Sequence, residues 1–155
     1  MLSSLLALVL AVQPASAKRP PVHTACPWNG MLRVEDTRGD SLTVDGVKYK
    51  LSRRSHMSAF QQTLQVCGAQ QAISPLVDWR AARGQVAARS AAAAAVATST
   101  TIRAMSTDDE WERQQIIEEG AERAAELGAE IAALSADARV KRQVFMATLH
   151  ASVDR

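Results

Sequence analysis

Aromatic residues are scarce in this chain: three Trp, two Phe and one Tyr among 155 residues. A surface that stacks on nucleic-acid bases needs rings interleaved with cations, so a nucleic-acid partner is excluded. Only two cysteines are present, with no Cys-x-x-Cys spacing, so no dithiol redox motif is spelled out. The histidines, His23, His56 and His150, stand apart from one another. None follows a Glu at three-residue spacing and no His-Glu-x-x-His occurs, which removes the di-iron and zinc-hydrolase patterns. A Gly-x-Ser-x-Gly elbow and a phosphate-binding glycine loop are also missing. These gaps predict a protein without catalytic activity, metal or cofactor.

Long apolar runs are missing as well. The most apolar stretch opens the chain, where residues 1–17 read MLSSLLALVLAVQPASA. An apolar run, then Pro14, then the small-x-small triplet Ala15-Ser16-Ala17 is the pattern of a secretory signal peptide cleaved after Ala17, although no Lys or Arg precedes the run. About eleven apolar residues fall short of the ~20 that a membrane-spanning helix needs. The alanine-rich stretch between Arg89 and Arg103 is equally short, so no transmembrane span is expected in the mature chain. Abundant Ala and Arg suit a GC-rich bacterial genome, which makes the expected location periplasmic or secreted. In that oxidising setting Cys26 and Cys67 read as a structural disulfide closing a loop of about 40 residues.

What is present is unevenly charged. The net charge is +2, yet residues 18–67 carry eight Lys/Arg against four Asp/Glu, and residues 106–139 carry three against ten. A strongly acidic segment is therefore embedded in a basic chain.

Residues 18–25 form a proline-stiffened, extended leader. Three short stretches then alternate with a period of two, at residues 31–36, 41–44 and 47–51, as half-buried strands do. Asp45-Gly46 between the last two is a two-residue hairpin signal. Ser55 is expected to cap a helix of about twelve residues whose Met57, Phe60, Leu64 and Cys67 share one stripe, with Gly68 as its stop. Ser74-Pro75 reads as a second helix start, and residues 106–110 (STDDE) as a third. The expected class is α+β: a small three-stranded antiparallel meander with a short covering helix, followed by a long antiparallel α-helical hairpin. The expected divisions are 1–17 signal, 18–25 leader, 26–72 disulfide-locked meander plus helix, and 74–152 helical hairpin.

On the last helix, Ile117, Ala124, Ile131, Ala138 and Phe145 stand seven apart. With Gly120, Leu127 and Leu134 they form a heptad-like seam that fades after Ala138 and faces the alanines of residues 91–95. Glu118, Glu122, Glu126 and Glu130 form an acidic ladder. At about 100° per residue the ladder centres roughly 150° from the seam, out of reach of Arg80, Arg83 and Arg89. It reads as a solvated face or as a docking face for a basic partner. Lys48, Lys50, Arg53 and Arg54 make a basic face at the third strand, solvated or available to an anionic surface. Arg38-Gly39-Asp40 matches the integrin-binding triplet, but Gly and Asp are ordinary turn residues, and we read a turn rather than integrin binding. Trp28, Trp79 and Trp111 read as half-buried anchors near element starts.

Together these features point to an exported, non-catalytic interaction or structural protein of the bacterial envelope. Its elongated helical hairpin would be the contact surface, toward another envelope protein or a second copy. A periplasmic holdase-like chaperone is the alternative, and a small enzyme or metal carrier without a recognisable motif is a third.

Overall fold

The computed structural model describes residues 20–28, 34–37 and 41–153. The expected signal segment and the Arg38-Gly39-Asp40 triplet lie outside them. The class is mixed α+β and mostly helical. Strands β1 (Val34–Thr37), β2 (Ser41–Val44) and β3 (Val47–Lys50) pair antiparallel in the order β1-β2-β3. The register sets Thr37 against Ser41 and Leu42 against Tyr49. Asp45 and Gly46 join β2 to β3 with φ of 48° and 80°, the left-handed pair that a two-residue turn requires. Alternation then turns Leu42, Val44 and Tyr49 into the core, while Lys48 and Lys50 face water.

Helix α1 (Arg54–Val66) lays Met57, Phe60 and Leu64 on that buried sheet face. It starts one residue before the expected cap. Arg53 occupies the cap position and no side chain bonds the free amides, so Ser55 lies inside the helix. The far end closes on Gly68 at φ 72°, where the Gly68 amide donates to Gln65 O (3.1 Å) and the Ala69 amide to Leu64 O (2.8 Å). This double bond to the last-turn carbonyls needs a left-handed residue, which glycine supplies without a Cβ clash. Cys67, the last residue before that turn, is bonded to Cys26 with a Cα–Cα distance of 4.7 Å.

A 3-10 turn (Gln70–Ala72) runs straight into α2 (Ile73–Met105). Continuous helical backbone thereby displaces the expected Ser74 cap: Ala72 stands at the cap position and Ser74 and Pro75 lie in the first turn. Pro is tolerated there because the missing amide has no intrahelical partner. Helix α3 (Glu110–Val153) returns along α2, with Thr100 against Gly120, Arg89 against Glu130 and Trp79 against Phe145.

The core gathers where β2, β3 and the three α-helices meet. Tyr49, Phe60, Phe145 and Trp79 form a chain of rings, one each from β3, α1, α3 and α2, with centroids 4.8, 6.4 and 5.6 Å apart. Tilted, edge-on and offset contacts of this kind add to the apolar burial of each ring. Trp28 joins the same cluster, as do Leu76 and Leu149. The seam of α3 therefore does not fade after Ala138; its deepest members, Phe145 and Leu149, come later. Its first member is also displaced by one residue, since Ile116 is buried and Ile117 is 45% exposed. The buried Ile116, Leu127, Ala138 and Leu149 stand eleven apart. At about 100° per residue, eleven residues overshoot three turns by ~20°, so these positions drift slowly around α3 in the opposite sense to a heptad, which falls short of two turns by the same angle.

His56, at the start of α1, is buried and its Nδ1 accepts the Lys50 amide at 3.1 Å, tying the helix to β3. Desolvation, then the nearby charges of Arg53 and Lys50, holds its pKa below the ordinary value. The unfolded chain consequently takes up this proton first as pH falls. Stability is full above the unfolded pKa of about 6.5 and declines below it, until pH passes under the depressed folded value. Urea midpoints measured between about pH 8 and pH 5 should fall on the acid side of this window. His56→Gln should flatten that slope; an unchanged slope would remove His56 as its source.

Candidate interaction surface on the helical arm

Away from the ring cluster, α2 and α3 have only each other. Side chains facing the seam are half-buried at best, apart from Ala82, Ile116, Leu127 and Ala138, and the outer surfaces of both helices meet water. The two run out from the core for about 40 Å beyond Trp79, at 1.5 Å per residue.

The far end is held rigidly. Asp109 caps α3, its Oδ1 accepting the Glu112 amide at 2.9 Å, in the segment where a helix start is expected from the sequence. Arg113 straps the connection from the other side: it donates to Ala104 O (3.3 Å) and Thr107 O (2.8 Å) and pairs with Glu110 (2.6 Å). A guanidinium on the Ala104 carbonyl, in the last turn of α2, also opposes the negative end of that helix dipole. Where α2 and α3 converge, Gly120 accepts the Thr100 side chain directly, and a Cβ there would overlap it.

On this fixed tip stand large apolar side chains with nothing over them: Ile102 is 62% exposed, Met105 82% and Trp111 71%. Trp79 and Trp28 are buried, so Trp111 is the departure from the anchor role expected of all three. It follows the cap by two residues, and at that position its ring leaves the seam rather than entering it. Sequence periodicity does not show this, because the tip lies past the point where seam positions are filled. Flanking charge gives no signal either: Trp111 stands between Glu110 and Glu112, but the buried Trp79 stands between Asp78 and Arg80.

The acidic ladder is exposed, but its last rung is engaged. Arg89 Nε lies 3.1 Å from Glu130 Oε2, correcting the expectation that the arginines of α2 cannot reach the ladder. Residues four apart advance about 400°, so each rung creeps roughly 40° around the helix. Glu118 starts on the outside and Glu130 arrives beside α2. Both partners are about half exposed, so the pair contributes little to stability. Glu118 accepts a hydrogen bond from Gln114 Nε2 (3.1 Å) and Glu126 pairs with Arg123 (2.8 Å). Lys48, Lys50, Arg53 and Arg54 are all exposed at β3 and the start of α1.

Among the described residues no three His, Cys, Asp or Glu side chains are placed to hold a metal ion, and no helix is long and apolar enough to cross a membrane. No protein-family model matches the chain, and no curated protein or solved structure matches it either.

Proposed function

We propose that this chain is an exported, non-catalytic interaction protein of a bacterial envelope, with the α2–α3 arm as its contact surface and the small sheet-and-helix unit as its base. In this reading residues 1–17 are the cleaved leader and Cys26–Cys67 staples the base in the oxidising periplasm. One observation carries the reading. The chain has six aromatic residues; five serve the core, and the sixth, Trp111, is 71% exposed on a strapped turn at the end of a long arm. Exposed Trp is a costly surface residue and a favoured interface anchor, because a large ring buries much area with little loss of side-chain freedom.

The test is a photo-reactive residue at Trp111, introduced into the full chain in its own cell envelope. The expected result is a discrete adduct with an envelope protein that the same residue at the exposed Arg54 does not give. No adduct from the tip would overturn the reading. Exposed apolar residues at the tip also favour the holdase alternative. That alternative predicts a smear of many clients in place of one band.

A further inference from the structure

The arm has two unlike sides. One carries the acids: Glu130 with Arg89 beside α2, and the ladder that leads to it. The other side is marked at the base by a groove where Trp79, Arg83 and Ala87 of α2 meet Ser135, Arg139 and Arg142 of α3. At the tip, Thr101 and Met105 meet Ile117 across the same side. Between these ends, helical periodicity places Ala94 on α2 and Ala124 and Gly128 on α3, all exposed. After Asp78, α2 contains no acid, and the acids of α3 beyond its first turn fall elsewhere on the wheel. This side is uncharged through its middle, basic at the base and apolar at the tip.

Gly128 lies at its centre. A Cβ at Gly128 would meet no atom within 4 Å, unlike one at Gly120. Nothing among the described residues requires a glycine there, although glycine in a helix interior costs about 1 kcal/mol relative to alanine. The spacing around it is symmetric. Arg83, Ala94 and Met105 stand eleven apart on α2, and Ile117, Gly128 and Arg139 stand eleven apart on α3. Because Arg89 faces Glu130 and Thr100 faces Gly120, Ala94 and Gly128 lie nearly abreast.

We propose that a second copy of this chain packs on this side, antiparallel, about a two-fold axis through Ala94 and Gly128, to give a four-helix bundle. The proposal rests on the arm being a contact surface and names its partner. The rotation carries Met105 and Ile117 of one copy onto the groove beside Arg83 and Arg139 of the other, where the arginine stems offer apolar area. It also brings the acids of the tip, Asp108 and Asp109, toward Arg80 and Arg83 of the partner copy, while the two acidic ladders stay outside. Opposite charge at both ends favours this pairing over a parallel one, which would set tip acids against tip acids. Gly128 then serves the close approach that nothing within one chain explains. Trp111, on a different part of the wheel, stays available.

The test is the mass of the mature, oxidised chain in solution by light scattering and sedimentation at about 100 μM, a concentration that populates even weak self-association. A dimer is expected. Gly128→Arg points into open space in one chain, so it should leave helix content and the thermal midpoint of the dilute protein unchanged or raised, while weakening association by at least about tenfold. Glu122→Arg, on the ladder, should leave the dimer intact. Ala94→Cys should be joined copy to copy by a short bis-maleimide, and Glu122→Cys should not. A monomer at this concentration, or a dimer indifferent to Gly128→Arg and unlinked through position 94, overturns the proposal. If that monomer still forms the Trp111 adduct, self-association fails alone and the wider reading stands.

Discussion

Truncating Phe145 to alanine is expected to lower stability by about 3–5 kcal/mol, the range for removing a fully buried phenylalanine ring. Phe145 is inaccessible to solvent, stacks on Trp79 at 5.6 Å and meets Phe60 edge-on at 6.4 Å. Among the described residues, no other side chain joins both long helices to the sheet-bearing unit through rings on two sides. A domain of this size has only about 5–15 kcal/mol in hand, so the loss should be visible as a large drop in the urea midpoint. The emission of Trp79 should report it directly. A loss below about 1 kcal/mol would mean that the ring chain does not bind the arm to its base.

The second large effect is expected from Cys26→Ser with Cys67→Ser. The bond closes a sequence separation of 41 residues, for which the chain-entropy account gives about 4 kcal/mol. Cys67 sits at the end of α1, and Cys26 precedes the buried Trp28, so the link fixes the covering helix to the segment that leads into the sheet. Thermal melts with and without the double substitution, followed by circular dichroism, should show earlier loss of the base and longer survival of helical signal from the arm. Equal midpoints would show that burial alone holds the unit closed.

The local chemistry of the base was readable from residues because it depends on near neighbours. Asp45-Gly46 dictates its turn through two positive φ values, and Gly68 ends α1 for the same reason. The stripe of Met57, Phe60 and Leu64 needs only the helical period. The pairing of the two cysteines likewise required only their count. Helix starts were less legible: Ser55 and Ser74 have the right chemistry for caps, but Arg53 and the 3-10 turn after Ala69 let helical backbone begin earlier. The seam of α3 was misread by one residue at Ile117, since a seven-residue count departs from a straight helix as it lengthens. The Arg89–Glu130 pair was missed for a related reason, as an average direction for four glutamates conceals the path of each one. Tertiary placement hid the rest. Nothing local distinguishes Trp111 from Trp79, and only the packing of α3 on α2 leaves one outside and brings the other within 5.6 Å of Phe145.

The period of α3 limits how such a protein can change its reach. At about 100° per residue, eleven residues overshoot three turns by ~20° and seven fall short of two turns by the same angle, so either change would swing the tip relative to the base. Eighteen residues make about five whole turns, so adding or removing that number at matched levels in both helices would shift the tip by about 27 Å and leave the remaining contacts in phase. Lengths of this rod that preserve its aim are therefore discrete, in steps of about eighteen.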